Sequence, residues 1–148
     1  MEILKDVLIA TNEIDRYLGG RAPINLWRAH NLSRRNAGVF DLIEEPHHRP
    51  GGVRPADITI EEGWVKVRYF PRGISTFDKP NVSKRGRWEY YKLPEGTRLP
   101  RGLVVVRDRF NCALDATHCT IAPAHDMRLT QFKALLNRLA IQISIKSA

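Results

Sequence analysis

Three short stretches of this 148-residue chain carry side chains able to do chemistry: Arg28 in NLWRAHN, the run GISTFD from Gly73 to Asp78, and ATHCTIAP from Ala116 to Pro123. A guanidinium next to the apolar Leu26 and Trp27 needs an anionic or acceptor partner if it is buried. Arg28 therefore either grips a ligand, faces water at a sheet edge, or pairs with Asp57 or Glu61. In GISTFD, Gly73 lets the backbone approach a ligand closely, and Ser75 and Thr76 offer hydroxyls suited to a ribose; the same residue types also form turns. In ATHCTIAP, strand alternation puts Thr117, Cys119 and Ile121 on one face and His118 and Thr120 on the other. His118 reads either as a site residue or as a satisfied structural histidine. Cys119, which the alternation turns to the face away from His118, reads as a small buried residue rather than a nucleophile.

These residues need elements to hold them. Leu4, Val7, Leu8, Thr11, Ile14 and Leu18 recur at helical steps, which predicts an amphipathic N-terminal helix over 2–18, stopped by Gly19 and Gly20 within the segment 1–20. PINLWRAHN predicts a short strand, and NAGVFDLIEEP either one turn of helix or an irregular loop. Pro46, Pro50, Gly51, Gly52 and Pro55 enforce a loop, in which His47 and His48 read as surface residues rather than metal ligands. ADITI, EGWVKVRYF, WEYYKLP, LVVVRD and ATHCTIAP are rich in β-branched and aromatic residues and predict strands. A second amphipathic helix over 127–145 turns Phe132, Leu135, Leu136, Leu139, Ala140 and Ile143 to one side. The fold class expected is α+β, as a single domain over 1–148.

No window approaches the ~18 consecutive apolar residues of a membrane span, and the acidic residues in MEILKDVLIATNE are unlike a secretory leader. The expectation is a protein without membrane insertion that does not use the general secretory route. Two cysteines, Cys112 and Cys119, give no disulfide framework. The net charge of +8 is concentrated: residues 66–109 hold twelve Lys or Arg against four Asp or Glu, whereas the remainder is balanced. That middle third is either a solvated face or an attractor for a polyanion, a dinucleotide phosphate or an acidic partner.

GISTFD, LPEGTRLPRGL and DRFNCALDATHCTIAPAHDM, taken in succession, resemble the Tse-two family of type VI secretion toxins, whose fold is that of ADP-ribosyltransferases. The resemblance runs over residues 24–140 and is strongest over 73–127. Trp27-Arg28-Ala29 stands where the family has Tyr-Arg-Ala, Gly73–Asp78 where it has Gly-Thr-Ser-Val-Phe-Asp, and Ala116–Ile121 where it has Ala-Thr-His-Tyr-Thr-Ile. Arg54 in GGVRPADI matches an arginine of the family's Pro-Ala-Arg-Ala-Pro-Asp-Ile.

The resemblance implies an ADP-ribosyltransferase-like split β-sheet core with flanking helices. It also implies NAD as the bound cofactor, with Arg28 holding its phosphates or ribose. Ser75 and Thr76 would bond the nicotinamide ribose, Gly73 would lie close against it, and His118 would sit near the scissile bond. Arg54 would meet phosphate or the transition state, or anchor its loop on Asp57; Phe77 would stack on nicotinamide or pack beneath it. Many transferases of this fold place a glutamate at the third motif, but here no Glu follows Glu95. His118 is the favoured local substitute and Asp115 the second. The implied biology is ADP-ribose transfer to a cytoplasmic macromolecule or to water. It includes type VI delivery from the producer's cytoplasm to that of a recipient, and neutralisation by a cognate immunity protein. The alternatives are a non-catalytic toxin binding protein or RNA through the basic middle third, and a ribonuclease using His118.

Overall fold

Leu103, Val104, Val105 and Val106 are all buried, which a strand achieves only when both faces are covered. The computed structural model describes residues 1–34, 38–83 and 86–147. In chain order its elements are α1 (Leu4–Ala10), β1 (Tyr17–Gly19), β2 (Leu26–Asn31), β3 (His47–Arg49), β4 (Gly52–Arg54), β5 (Ile60–Glu61), β6 (Trp64–Val65), β7 (Ile74–Phe77), β8 (Trp88–Leu93), β9 (Leu103–Asn111), β10 (Ala116–Pro123), β11 (Met127–Arg128) and α2 (Leu129–Ser147). Lys84 and Arg85 of the basic stretch lie outside the described residues.

The central sheet has six strands in the order β1-β9-β10-β7-β2-β8, every neighbouring pair antiparallel. Its two faces have different covers. Ile74, Leu103, Val105, Cys119 and Ile121 share a core with Phe132, Leu135, Leu136, Leu139 and Ile143 of α2, each large side chain contributing about 1.5–3 kcal/mol by burial. On the reverse face Val104, Val106 and Ala122 meet Leu4, Val7 and Leu8 of α1. By strand alternation that same face continues through Asp108, His118, Thr120 and Ser75, beyond the reach of a seven-residue helix. The short α1 therefore leaves part of the sheet open.

The brevity of α1 departs from the expected helix over 2–18. Asn12 adopts a left-handed φ of 58°. Its N–H donates to the Ile9 carbonyl at 3.1 Å and the Glu13 N–H to Leu8 at 2.7 Å, a Schellman stop. The chain then makes a 3₁₀ turn at Ile14–Arg16 and enters β1. Helical spacing beyond Thr11 arises because Leu18 packs against the main core from a strand. EGWVKVRYF is likewise a strand only at Trp64–Val65; Glu62 and Gly63, both at positive φ, make the tight turn of a two-residue hairpin with β5. The Pro/Gly-rich loop contains a small hairpin, β3 with β4, on which His47 and His48 are exposed. GISTFD forms a strand near the middle of the sheet, between β10 and β2.

Two contacts fix that strand. A Cβ on Gly73 would lie 2.0 Å from the Ile121 carbonyl oxygen, so glycine is required where β7 closes on β10. On its other edge β7 pairs with β2 through Trp27 and Phe77, and beyond them Arg28 bridges the gap. Its Nε donates to the Val39 carbonyl at 3.0 Å, Nη1 to Ser75 at 3.1 Å and Nη2 to Asp41 at 3.2 Å. One guanidinium thus satisfies acceptors from β7 and from the segment after β2, groups that would be costly to leave unpaired in the interior.

Gly73→Ala is expected to lower unfolding free energy by about 1–3 kcal/mol through overpacking, measured by urea denaturation; an unchanged midpoint would show that β7 and β10 can separate freely. Arg28→Ala should cost about 2–4 kcal/mol by orphaning carbonyls, and amide exchange at Ser75 and its neighbours on β7 should accelerate with it.

Candidate functional site

The uncovered part of the sheet is the floor of an open cleft of about 820 Å³. Ser75, Asp108, His118 and Thr120 form the floor; residues 54–57, 70–73 and 109–113 form walls, with Glu13 and Arg16 contributed by the turn after α1. Pairing of β7 with β10 sets the floor: Thr120 faces Ser75, and His118 faces Phe77.

An irregularity in β9 completes it. Thr117 pairs with Phe110 and Cys119 with Arg107, so two residues of β9, Asp108 and Arg109, oppose the single His118. Such a bulge re-aims side chains, and here it brings Asp108 Oδ2 to 2.7 Å from His118 Nδ1. Thr120 Oγ1 donates to the same carboxylate oxygen. Because a carboxylate only accepts, its bond assigns the proton to His118 Nδ1 and leaves Nε2 as the ring's free nitrogen. The Phe77 ring, at 5.4 Å between centroids and tilted by 60°, supports the imidazole from the side. The Ser75 hydroxyl has no hydrogen-bond partner among the described residues, while its carbonyl is held by Arg28.

The expected site residues separate into three groups. Ser75, His118, Gly73 and Arg54 line the cleft. Gly73 is needed for strand packing, and Arg54 is tied to the buried Asp57 at 3.0 Å and to the Pro55 carbonyl at 2.7 Å, so the loop anchor foreseen as its alternative role is present. Phe77, on the same face as Ser75, flanks the His118 ring, and Arg28 holds the Ser75 carbonyl; neither is among the lining residues. The Arg28 guanidinium, expected to meet NAD, is bonded to the main-chain carbonyls of Val39, Ser75 and Asp41. Thr76 is on the other face: it is 1% exposed and its hydroxyl donates to the Cys119 carbonyl at 2.8 Å, which removes it from ribose binding. Asp115, the second choice for the absent glutamate, lies in the turn between β9 and β10 paired with Lys79 at 3.0 Å, its side chain 82% exposed.

Four residues of the cleft escaped the sequence reading. Asp108 had a signal, since it continues the Val104 and Val106 alternation as a carboxylate on an apolar face. Arg72, buried at the cleft wall, and the exposed Phe70 and Phe110 had none, because loop geometry brings them there. A separate depression of about 780 Å³ is bordered by Glu61, Glu62, Asp126 and Lys66. Its lysine is already paired with Asp126 at 3.4 Å, which suits it poorly to an anion.

Cys119, opposite the cleft, is buried, and desolvation, reinforced by Asp108 and Asp78, pushes its thiol from 9.0 up to about 11. It is not an activated nucleophile. The exposed Cys112 should react with a thiol reagent at pH 8 in one equivalent, and Cys119 only after denaturation; two equivalents from the native protein would contradict its burial. Since the folded-state value is raised, the thiol's contribution to stability is complete below pH 9 and is lost as pH climbs towards about 11.

The model of the Tse2 ADP-ribosyltransferase toxin family matches residues 10–147. Toxin Tse2 of Pseudomonas aeruginosa is 42% identical over 55 residues, which cover 37% of this chain and 34% of that toxin; the alignment spans about a third of the relative's length. The mixed architecture, mostly antiparallel with two helices, is that of an ADP-ribosyltransferase-like fold. With the family model covering nearly all of it, this chain belongs to the Tse2 ADP-ribosyltransferase toxin family.

Proposed function

We propose that the cleft binds NAD and that the protein transfers ADP-ribose from it to a macromolecule of a recipient cell's cytoplasm. The observation that carries this reading is the convergence of Ser75 and the His118–Asp108 pair on one open floor of nucleotide size, in a chain of a transferase family. The lining suits such a ligand: a free hydroxyl at Ser75 for a ribose, Arg72 for phosphates, and the exposed faces of Phe70 and Phe110 for a ring. NAD would supply a glycosidic bond to the anomeric carbon whose cleavage releases neutral nicotinamide and leaves positive charge on the ribose, the acceptor then bonding to that carbon.

The chain's own residues then have distinct tasks. Asp108 places a carboxylate at the floor where that charge develops, the electrostatic work a third-motif glutamate performs elsewhere. It also holds the His118 ring so that Nε2 can accept a proton from the incoming acceptor group. Ser75 orients the ribose, and Arg28 acts as a positioning residue through the Ser75 backbone. As in a toxin system, a cognate immunity protein is proposed to block the activity, with type VI delivery from the producer. No helix among the described residues is long and apolar enough to cross a membrane.

Calorimetry with NAD and label transfer from radiolabelled NAD into lysate protein or nucleic acid test this directly. Wild type is expected to bind and to label. Ser75→Ala and Asp108→Asn should fold and label weakly, and His118→Ala should lose roughly 100-fold or more. Absence of both binding and label would overturn the proposal, and RNA cleavage without NAD would reassign the histidine pair to ribonuclease chemistry.

A further inference from the structure

Arg72 is 5% exposed, yet its Nε and Nη1 have no hydrogen-bond partner among the described residues. A charged group in that state is expensive, because its hydration has been removed and not replaced. Burial lowers its pKa from the ordinary arginine value, with Glu13 and Asp108 acting only as nearby opposing charges. Both carboxylates are engaged elsewhere, Glu13 with Arg16 at 3.4 Å and Asp108 with His118 and Thr120. What covers the guanidinium is the ring of Phe70, whose centroid is 4.0 Å from the Arg72 central carbon and which is itself 59% exposed. Both residues line the cleft.

We propose that Arg72 is the anion subsite of the cleft: a diphosphate-bearing nucleotide displaces the Phe70 ring from the guanidinium, seats its phosphate there, and receives that ring against its own base or sugar. The exchange is favourable in kind. A cation–π contact leaves the guanidinium's N–H donors unbonded, whereas a phosphate accepts from them directly and with opposite charge, among the stronger polar interactions. Two other arginines of the cleft are already engaged, Arg16 with Glu13 and Arg54 with Asp57. The structure thus provides one buried cation whose donors are uncommitted, beside an aromatic ring that can move because more than half of it faces water. The ligand's identity as NAD rests on the function proposed above; the anion subsite itself rests on Arg72 alone.

The test uses the full chain and thermal-shift and calorimetric titrations with NAD, ADP-ribose, inorganic pyrophosphate and nicotinamide riboside. Wild type should bind the three diphosphate compounds, with the phosphate-free riboside far weaker. Arg72→Met should weaken binding of those three by roughly 10- to 100-fold, while the unliganded protein melts at the same or a higher temperature, since a buried unpaired charge has been removed. Arg72→Lys, a point charge without the planar fork, should also bind them more weakly than wild type. If NAD does not bind but pyrophosphate binds wild type and not Arg72→Met, the NAD reading fails and the subsite stands. Equal affinity of wild type and Arg72→Met for the diphosphates, or no difference between ADP-ribose and the riboside on wild type, overturns the subsite whatever the fate of the NAD reading. If Arg72→Met does not fold, the lysine variant and the wild-type ligand series decide the same point.

Discussion

One guanidinium holds this structure at its weakest seam. The ladder between β2 and β7 is a single residue pair, Trp27 with Phe77, and past that pair Arg28 donates to carbonyls of Ser75, Val39 and Asp41. The planar fork suits this work because several donors diverge from one rigid group. Without it the central strand carrying Ser75 would lose one edge, and the segment after β2 would lose its attachment. A residue whose type and place resemble a ligand-binding arginine is thereby turned to the backbone, and its influence on the site passes through the position of Ser75.

The site exists because the two faces of the sheet are closed to different extents. The 19-residue α2 spans one face and supplies most of the core. The other face receives a helix of seven residues, ended by the left-handed Asn12. Strands β7, β9 and β10 run beyond that helix with polar side chains where apolar ones would otherwise be needed. An uncovered sheet face carrying a paired carboxylate and histidine, a free hydroxyl and an uncompensated arginine is poorly suited to stability alone, and local conflicts of this kind are where function is expected. The bulge at Asp108 and Arg109 belongs to the same trade: it sacrifices regular pairing and sets the carboxylate against the imidazole.

Legibility in the sequence followed the range of the interactions concerned. Strands β2, β8, β9 and β10 and helix α2 have strong periodicity, and alternation within ATHCTIAP correctly divided Cys119 and Ile121 from His118 and Thr120. Ser75 and Thr76 needed the same treatment; read as a strand, ISTF puts them on opposite faces, and only Ser75 reaches the cleft. The N-terminal helix is shorter than its spacing predicts because Leu18 repeats the helical step by coincidence, and spacing carries no sign of the positive φ at Asn12. Asp108, Arg72, Phe70 and Phe110 come from separate segments that only the tertiary fold brings together. The missing glutamate was visible as an absence, but its replacement on the neighbouring strand required the register of β9 against β10.

The proposed activity requires NAD to lie on the floor of this cleft. A titration of isotopically labelled protein with NAD, followed by amide chemical shifts, tests it most directly. The expected result is saturable movement of Ser75, His118, Thr120 and Phe110, with Glu61 and Trp64 at the separate acidic depression unmoved. Shifts confined to that depression, or none at saturating NAD, would contradict it.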